Sequence, residues 1–122
     1  MTGMRNTPDV ITELKPNEVI VVGTNAAGRH MGGAAAQAHR DFGLEWGVGE
    51  GRSGDAYALP TMEGMDSMSS AAHHFIRYAT IHPETTFYLT RVGCGIAGYS
   101  DEEVAPLFAD APSNVLRPRG WE

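Results

Sequence analysis

The sequence predicts an α/β protein with a mostly parallel sheet flanked by helices, on three observations. Val19-Ile20-Val21-Val22-Gly23 is an unbroken β-branched run closed by glycine, the pattern of a strand buried on both faces. Strand-like and helix-like patterns alternate along the chain with short connections, which implies neighbouring parallel strands joined by right-handed crossovers. Two of the strands run directly into glycine-rich loops that open helices, at 24–33 and at 93–100. In open sheets of this kind ligands sit at the carboxyl ends of the strands, where both loops fall.

Taken in order, residues 1–8 have no periodicity and read as a loose terminus. Residues 9–14 read as a short strand or a turn, ahead of a turn signal at Lys15-Pro16-Asn17. The first strand covers 18–23. After the first glycine loop, residues 34–42 read as a helix, because alanine has the best helix propensity and Ala34, Ala35, Ala38 and Phe42 share one face. Gly43 stops it.

Residues 43–55 hold Gly43, Gly47, Gly49, Gly51 and Gly54 and read as a mobile surface loop. Gly47-Val48-Gly49-Glu50-Gly51 looks like a dinucleotide fingerprint, but no strand precedes it and no helix follows. Residues 56–61 read as a strand closed by proline. Over 65–79, Met65, Met68, Ala72, Phe75, Ile76 and Ala79 recur at helical spacing, so the methionines belong to a core face rather than to a cofactor box. Residues 86–92 form the strand that feeds the second glycine loop. Ser100 and Glu103 then make a capping box that starts a helix over 101–109, and 114–117 reads as a last edge strand.

The second loop, Gly93-Cys94-Gly95-Ile96-Ala97-Gly98-Tyr99, has the composition of a phosphate cradle. Glycines let successive amides face an anion, and the dipole of a following helix favours negative charge there. A tight strand-to-helix turn would use the same glycines for geometry alone.

The chain has 122 residues, 42% hydrophobic and 20% charged, which fits one domain and is too short for two. A single cysteine excludes an internal disulfide framework and suits a reducing, cytoplasmic compartment. There is no apolar leader and no run long enough to span a membrane, so neither secretion nor insertion is expected. The net charge of −6 argues against a nucleic-acid partner, which would demand clustered lysine and arginine. An anionic small molecule must then be held locally, by backbone amides. The five histidines show no ligand spacing with cysteine or carboxylates, so no metal site is expected, and no cofactor. Oligomeric state is not legible.

Val22-Gly23-Thr24-Asn25 followed by Gly32-Gly33-Ala34-Ala35-Ala36-Gln37-Ala38-His39, together with residues 93–99, resembles the two ligand loops of the macro domain family. Asp9-Val10-Ile11-Thr12 resembles that family's early acidic segment. The resemblance covers about a third of the chain and implies a minimal macro-like fold that binds ADP-ribose or a related adenine nucleotide derivative. It implies Asp9 and Val10 at the adenine, Asn25, Gly32 and Gly33 at the distal ribose, and Gly93, Cys94, Gly95, Ile96, Ala97, Gly98 and Tyr99 around the diphosphate. The chain departs from the family in its short length, in Ala97 where a bulkier residue is usual, and in Arg29-His30-Met31 ahead of only two consecutive glycines.

Each of these residues also has a plain structural reading. Asn25 could position a ribose hydroxyl or a water, or close its own loop; Gly32 and Gly33 could admit a ribose or close helix–sheet packing. Cys94 could be a nucleophile served by His30 or His39, or a small packed residue. His30 and Arg29 could touch the ligand or form a solvated loop tip, and Tyr99 could cover a ribose or pack. Three classes of function follow. The chain is a binding module or scavenger for a nucleotide-derived ligand, a hydrolase of an ADP-ribosyl bond or terminal phosphate with Asn25 positioning water, or a structural protein with tightly packed glycine loops.

Overall fold

The computed structural model describes residues 6–30 and 32–122. Its elements in chain order are β1 (Glu18–Thr24), α1 (Gly33–Asp41), β2 (Gly51–Ser53), β3 (Ala56–Pro60), α2 (Met65–Thr80), β4 (Thr86–Leu89), α3 (Asp101–Val104), a 3-10 helix (Ala105–Phe108) and β5 (Val115–Leu116). They build one five-stranded sheet in the order β2-β3-β1-β4-β5. β1 lies at its centre, parallel to β3 on one side and to β4 on the other, and β5 extends β4 in parallel.

The alternation of β1 explains how both faces are covered. Val19 and Val21 join Tyr57, Leu59, Phe87 and Leu89 under α2 and the 3-10 helix, where Phe75 meets the rings of Tyr57, Phe87 and Phe108. Ile20 and Val22 join Ala56 and Ala58 under Ala35, Ala38 and Phe42 of α1. Full burial of each such aliphatic side chain is worth about 1.5–3 kcal/mol, so two opposed cores rather than any one contact hold the strand in the middle. Met68 is fully buried in the larger core and Met65 packs against it, the core role expected for the methionine stripe.

Four local expectations are corrected. The segment expected as a mobile loop over 43–55 contains β2, which pairs antiparallel with β3 and makes the sheet mixed; Leu44 in it is buried. Asn6 and Thr7, expected to be loose, are docked: Asn6 bridges to Arg117 and the buried Thr7 hydroxyl donates to the carbonyls of Leu89 and Leu116. Residues 9–14 form no strand; Ile11 and Leu14 pack against the α1 core. The helix expected over 101–109 is α-helical only to Val104, because Pro106 has no amide to continue the ladder and the chain tightens to 3-10 geometry. Among the described residues, no helix is long and apolar enough to cross a membrane.

The winding of the chain positions the site. From β1 the chain leaves to α1 on one face and returns as β3; from β3 it crosses by α2 on the other face to β4, on the far side of β1. The loops after β1 and β4 therefore diverge to opposite faces and leave a crevice between the two carboxyl ends, the switch point of a doubly wound sheet.

Candidate functional site

A cleft of about 740 Å³ occupies that crevice. Residues from the ends of all three central strands line it: Gly23, Thr24 and Asn25 after β1, Thr61 and Met62 after β3, and residues 90–97 after β4, with Arg29 and the start of α1 completing the wall. Of the residues singled out from sequence, Asn25, Gly32, Gly33, Gly93, Cys94, Gly95, Ile96 and Ala97 are brought together here. Asp9, Val10, His30, Gly98 and Tyr99 are not among its lining residues.

The first wall is built by tight backbone packing. The Asn25 carboxamide closes its own loop, accepting from the Arg29 amide at 2.9 Å and donating to the Arg29 carbonyl at 3.0 Å. Gly28, at φ +71°, lies against the backbone of Gly47 and Val48, while Gly49 lies against the Ala26 carbonyl, and neither position has room for a Cβ. The Thr24 hydroxyl donates to the Gly49 carbonyl at 2.6 Å and the Gly47 amide to the Gly28 carbonyl at 2.9 Å. Residues 43–50 thus brace the loop that carries Asn25.

That loop delivers α1 with an open N-terminus. Its N-cap is Gly32, no side chain caps it, and its first turn carries no acidic residue. The first intrahelical bond is made by the Ala36 amide to the Gly32 carbonyl, so the amides of Gly33, Ala34 and Ala35 precede it at the positive end of the helix dipole.

The second wall is a nest rather than a helix end. In residues 93–99 the amides of Cys94, Gly98 and Tyr99 donate to the carbonyls of Arg91, Gly95 and Gly93. Those bonds curl the loop and leave the consecutive amides of Gly95, Ile96 and Ala97 without an intramolecular acceptor among the described residues, an arrangement suited to an anion. Ile96 is 86% exposed at the tip. The helix that follows adds nothing: α3 is one turn long, its capping box satisfies Ser100 and Glu103, and Asp101, Glu102 and Glu103 already sit on its dipole.

The side chains of the lining include two arginines, Arg29 and Arg91, and no carboxylate or imidazole; Arg91 is paired from behind with Asp101 at 2.9 Å. Cys94 faces Asp101 at 3.7 Å. Burial, and then the Asp101 charge, push its thiol up to about 11, the reverse of an activated nucleophile.

The two histidines considered as its bases lie elsewhere. His30 is buried rather than at a solvated tip, with Nε2 donating to the Glu45 carbonyl at 2.9 Å; His39 Nδ1 donates to the Leu44 carbonyl at 2.7 Å, and both rings contact Trp46. The imidazoles brace residues 44–46. Asp9 and Val10 are exposed on the segment before β1, and Tyr99 packs against the larger core.

Sequence reading missed Arg91, Thr61 and Met62 as cleft residues. A signal existed for the last two: Thr61 closes and Met62 follows the strand read over 56–61, and ligands in such sheets sit at the carboxyl ends of the strands.

No family model matches this chain, and no curated protein or solved structure matches it significantly.

Proposed function

We propose that the protein binds ADP-ribose or a related adenine nucleotide derivative in this cleft, as a binding module or scavenger in a minimal macro-like fold. The observation that carries the reading is the pairing of two amide clusters across one crevice. The open first turn of α1 stands on one side and the Gly95-Ile96-Ala97 nest on the other. Two adjacent sites for negative charge match a diphosphate, and an acidic protein holds it without a basic surface.

Binding without turnover is favoured over hydrolysis by the lining itself. It offers no carboxylate or imidazole to take a proton from water, and both polar atoms of the Asn25 side chain are engaged in closing its loop.

Titration calorimetry with ADP-ribose, followed by chromatography of the recovered ligand, tests this. Saturable binding with intact ligand is expected. The absence of heat at millimolar ligand refutes ADP-ribose, and conversion to product makes the protein an enzyme.

A further inference from the structure

We infer that the carboxyl-terminal residues Arg119, Gly120 and Trp121 form a strap that sets the second wall of the cleft, with Asp101 as the junction and Trp121 as a positioning residue for Arg91 and Cys94. The inference deepens the reading above by assigning the cleft a control element outside its lining.

One oxygen, Asp101 Oδ1, receives three donors from separate parts of the chain. Arg91 Nη1 donates to it at 2.9 Å, Trp121 Nε1 at 2.8 Å and the Cys94 thiol at 3.7 Å. Arg91 and Cys94 line the cleft; Asp101 and Trp121 do not. Arg91 Nη2 also donates to the Arg119 carbonyl at 2.7 Å, so the tail holds the guanidinium twice, once through its backbone and once through Asp101. A fork held at two points keeps its remaining N–H groups in a fixed direction, which a lysine on a flexible stem would not.

The tail is itself anchored. Trp121 is 2% exposed and its ring stacks on Phe108 at 5.9 Å between centroids. Glu122 takes the Gly120 amide and the Asn6 side chain. The indole therefore has two separable jobs: its rings fill a core position, and its single N–H reaches out of that core to Asp101.

The same junction keeps Cys94 quiet, because a carboxylate that accepts from the thiol and stands beside it opposes ionisation. Thiol reactivity thus reports on the strap without any ligand, and ligand affinity reports on Arg91.

Trp121→Phe retains the stacked ring and removes only the N–H, while Asp101→Asn removes the charge at the junction. Alkylation of Cys94 by iodoacetamide at fixed pH is expected to rise about tenfold in Asp101→Asn, the effect of one unit in thiol pKa, and severalfold in Trp121→Phe. The rise is expected to be insensitive to low urea, as for local release rather than global unfolding. Affinity for ADP-ribose should fall in both variants and in Arg91→Lys. A wild-type alkylation rate in Trp121→Phe, even beside a raised rate in Asp101→Asn, or rates that climb steeply with urea from the lowest concentrations, overturn the strap. If the wild type binds no ADP-ribose yet the alkylation rates respond as described, the strap stands and the ligand assignment falls.

Discussion

Gly28 and Gly49 have no room for a side chain, whereas nothing lies within 4 Å of where a Cβ on Gly95 would stand. The two cleft walls thus use glycine for different ends. Around the first loop, glycine permits two backbone segments to touch, and the result is a braced wall that presents the uncapped end of α1. In the second loop, Gly93 lies against the Met68 side chain, but Gly95 has open surroundings, and the curled backbone leaves a row of amides without an intramolecular acceptor among the described residues. The helix caps divide the same way: α1 has none, while α3 has a complete capping box and three acids. A loop that braces and a loop that binds look alike in composition and differ in what surrounds them.

The largest expected effect comes from the braced side. Gly49→Ala drives a methyl into the Ala26 carbonyl and is expected to cost about 3 kcal/mol of stability, read as a lowered urea midpoint. Gly95→Ala, with open space, should leave that midpoint unchanged.

Next, Gly32→Asp places a carboxylate at the empty N-cap of α1, where the backbone is already extended. Stability should rise by about 0.3 kcal/mol, while affinity for ADP-ribose should drop about tenfold because the added charge occupies the anion's place. A gain in both would show that the α1 end does not touch the ligand.

On the binding side, Gly95 accepts from the Gly98 amide, so Ile96 is the second residue of a turn that tolerates proline. Ile96→Pro removes one nest amide and should weaken binding roughly tenfold with little change in melting temperature. Ser100→Ala breaks the capping box of α3 and should cost about 1 kcal/mol, read by denaturation, with a smaller effect on affinity than Ile96→Pro.

Finally, the Cys94 thiol, pushed up to about 11, should alkylate with a pH midpoint well above the ordinary thiol range. A midpoint near 8 or 9 would mean that the thiol is neither buried nor faced by Asp101 in solution.

How far the sequence reaches can be judged element by element. The Val19–Val22 run, the alanine-rich helix ended by Gly43 and the stripe from Met65 to Ala79 all carry periodicities set by neighbours along the chain, and each appears in the structure within two residues of its expected bounds. The Ser100–Glu103 box is equally local and is present in full. β2 is different. Gly51-Arg52-Ser53 has no strand propensity and pairs because the free edge of β3 lies beside it. Likewise His30, which reads as a ligand contact or a loop tip, is buried against Glu45 and Trp46 arriving from beyond α1.

The sequence by itself determined where β1, α1, β3 and α2 form, where α3 starts, and that two glycine loops end buried strands, because hydrophobic period, proline, glycine and caps act over a few residues. Only the tertiary structure decided which amides stay open, that Asn25 is engaged in its own loop, and that Asp101 joins Arg91, Cys94 and Trp121. Asn25 meets Arg29 only four residues on, a choice the chain-local pattern left open, whereas the Asp101 junction joins residues up to 20 apart and the Ala26 amide reaches Glu63, 37 residues away; chain-local pattern carries no record of which partner claims a given hydrogen bond.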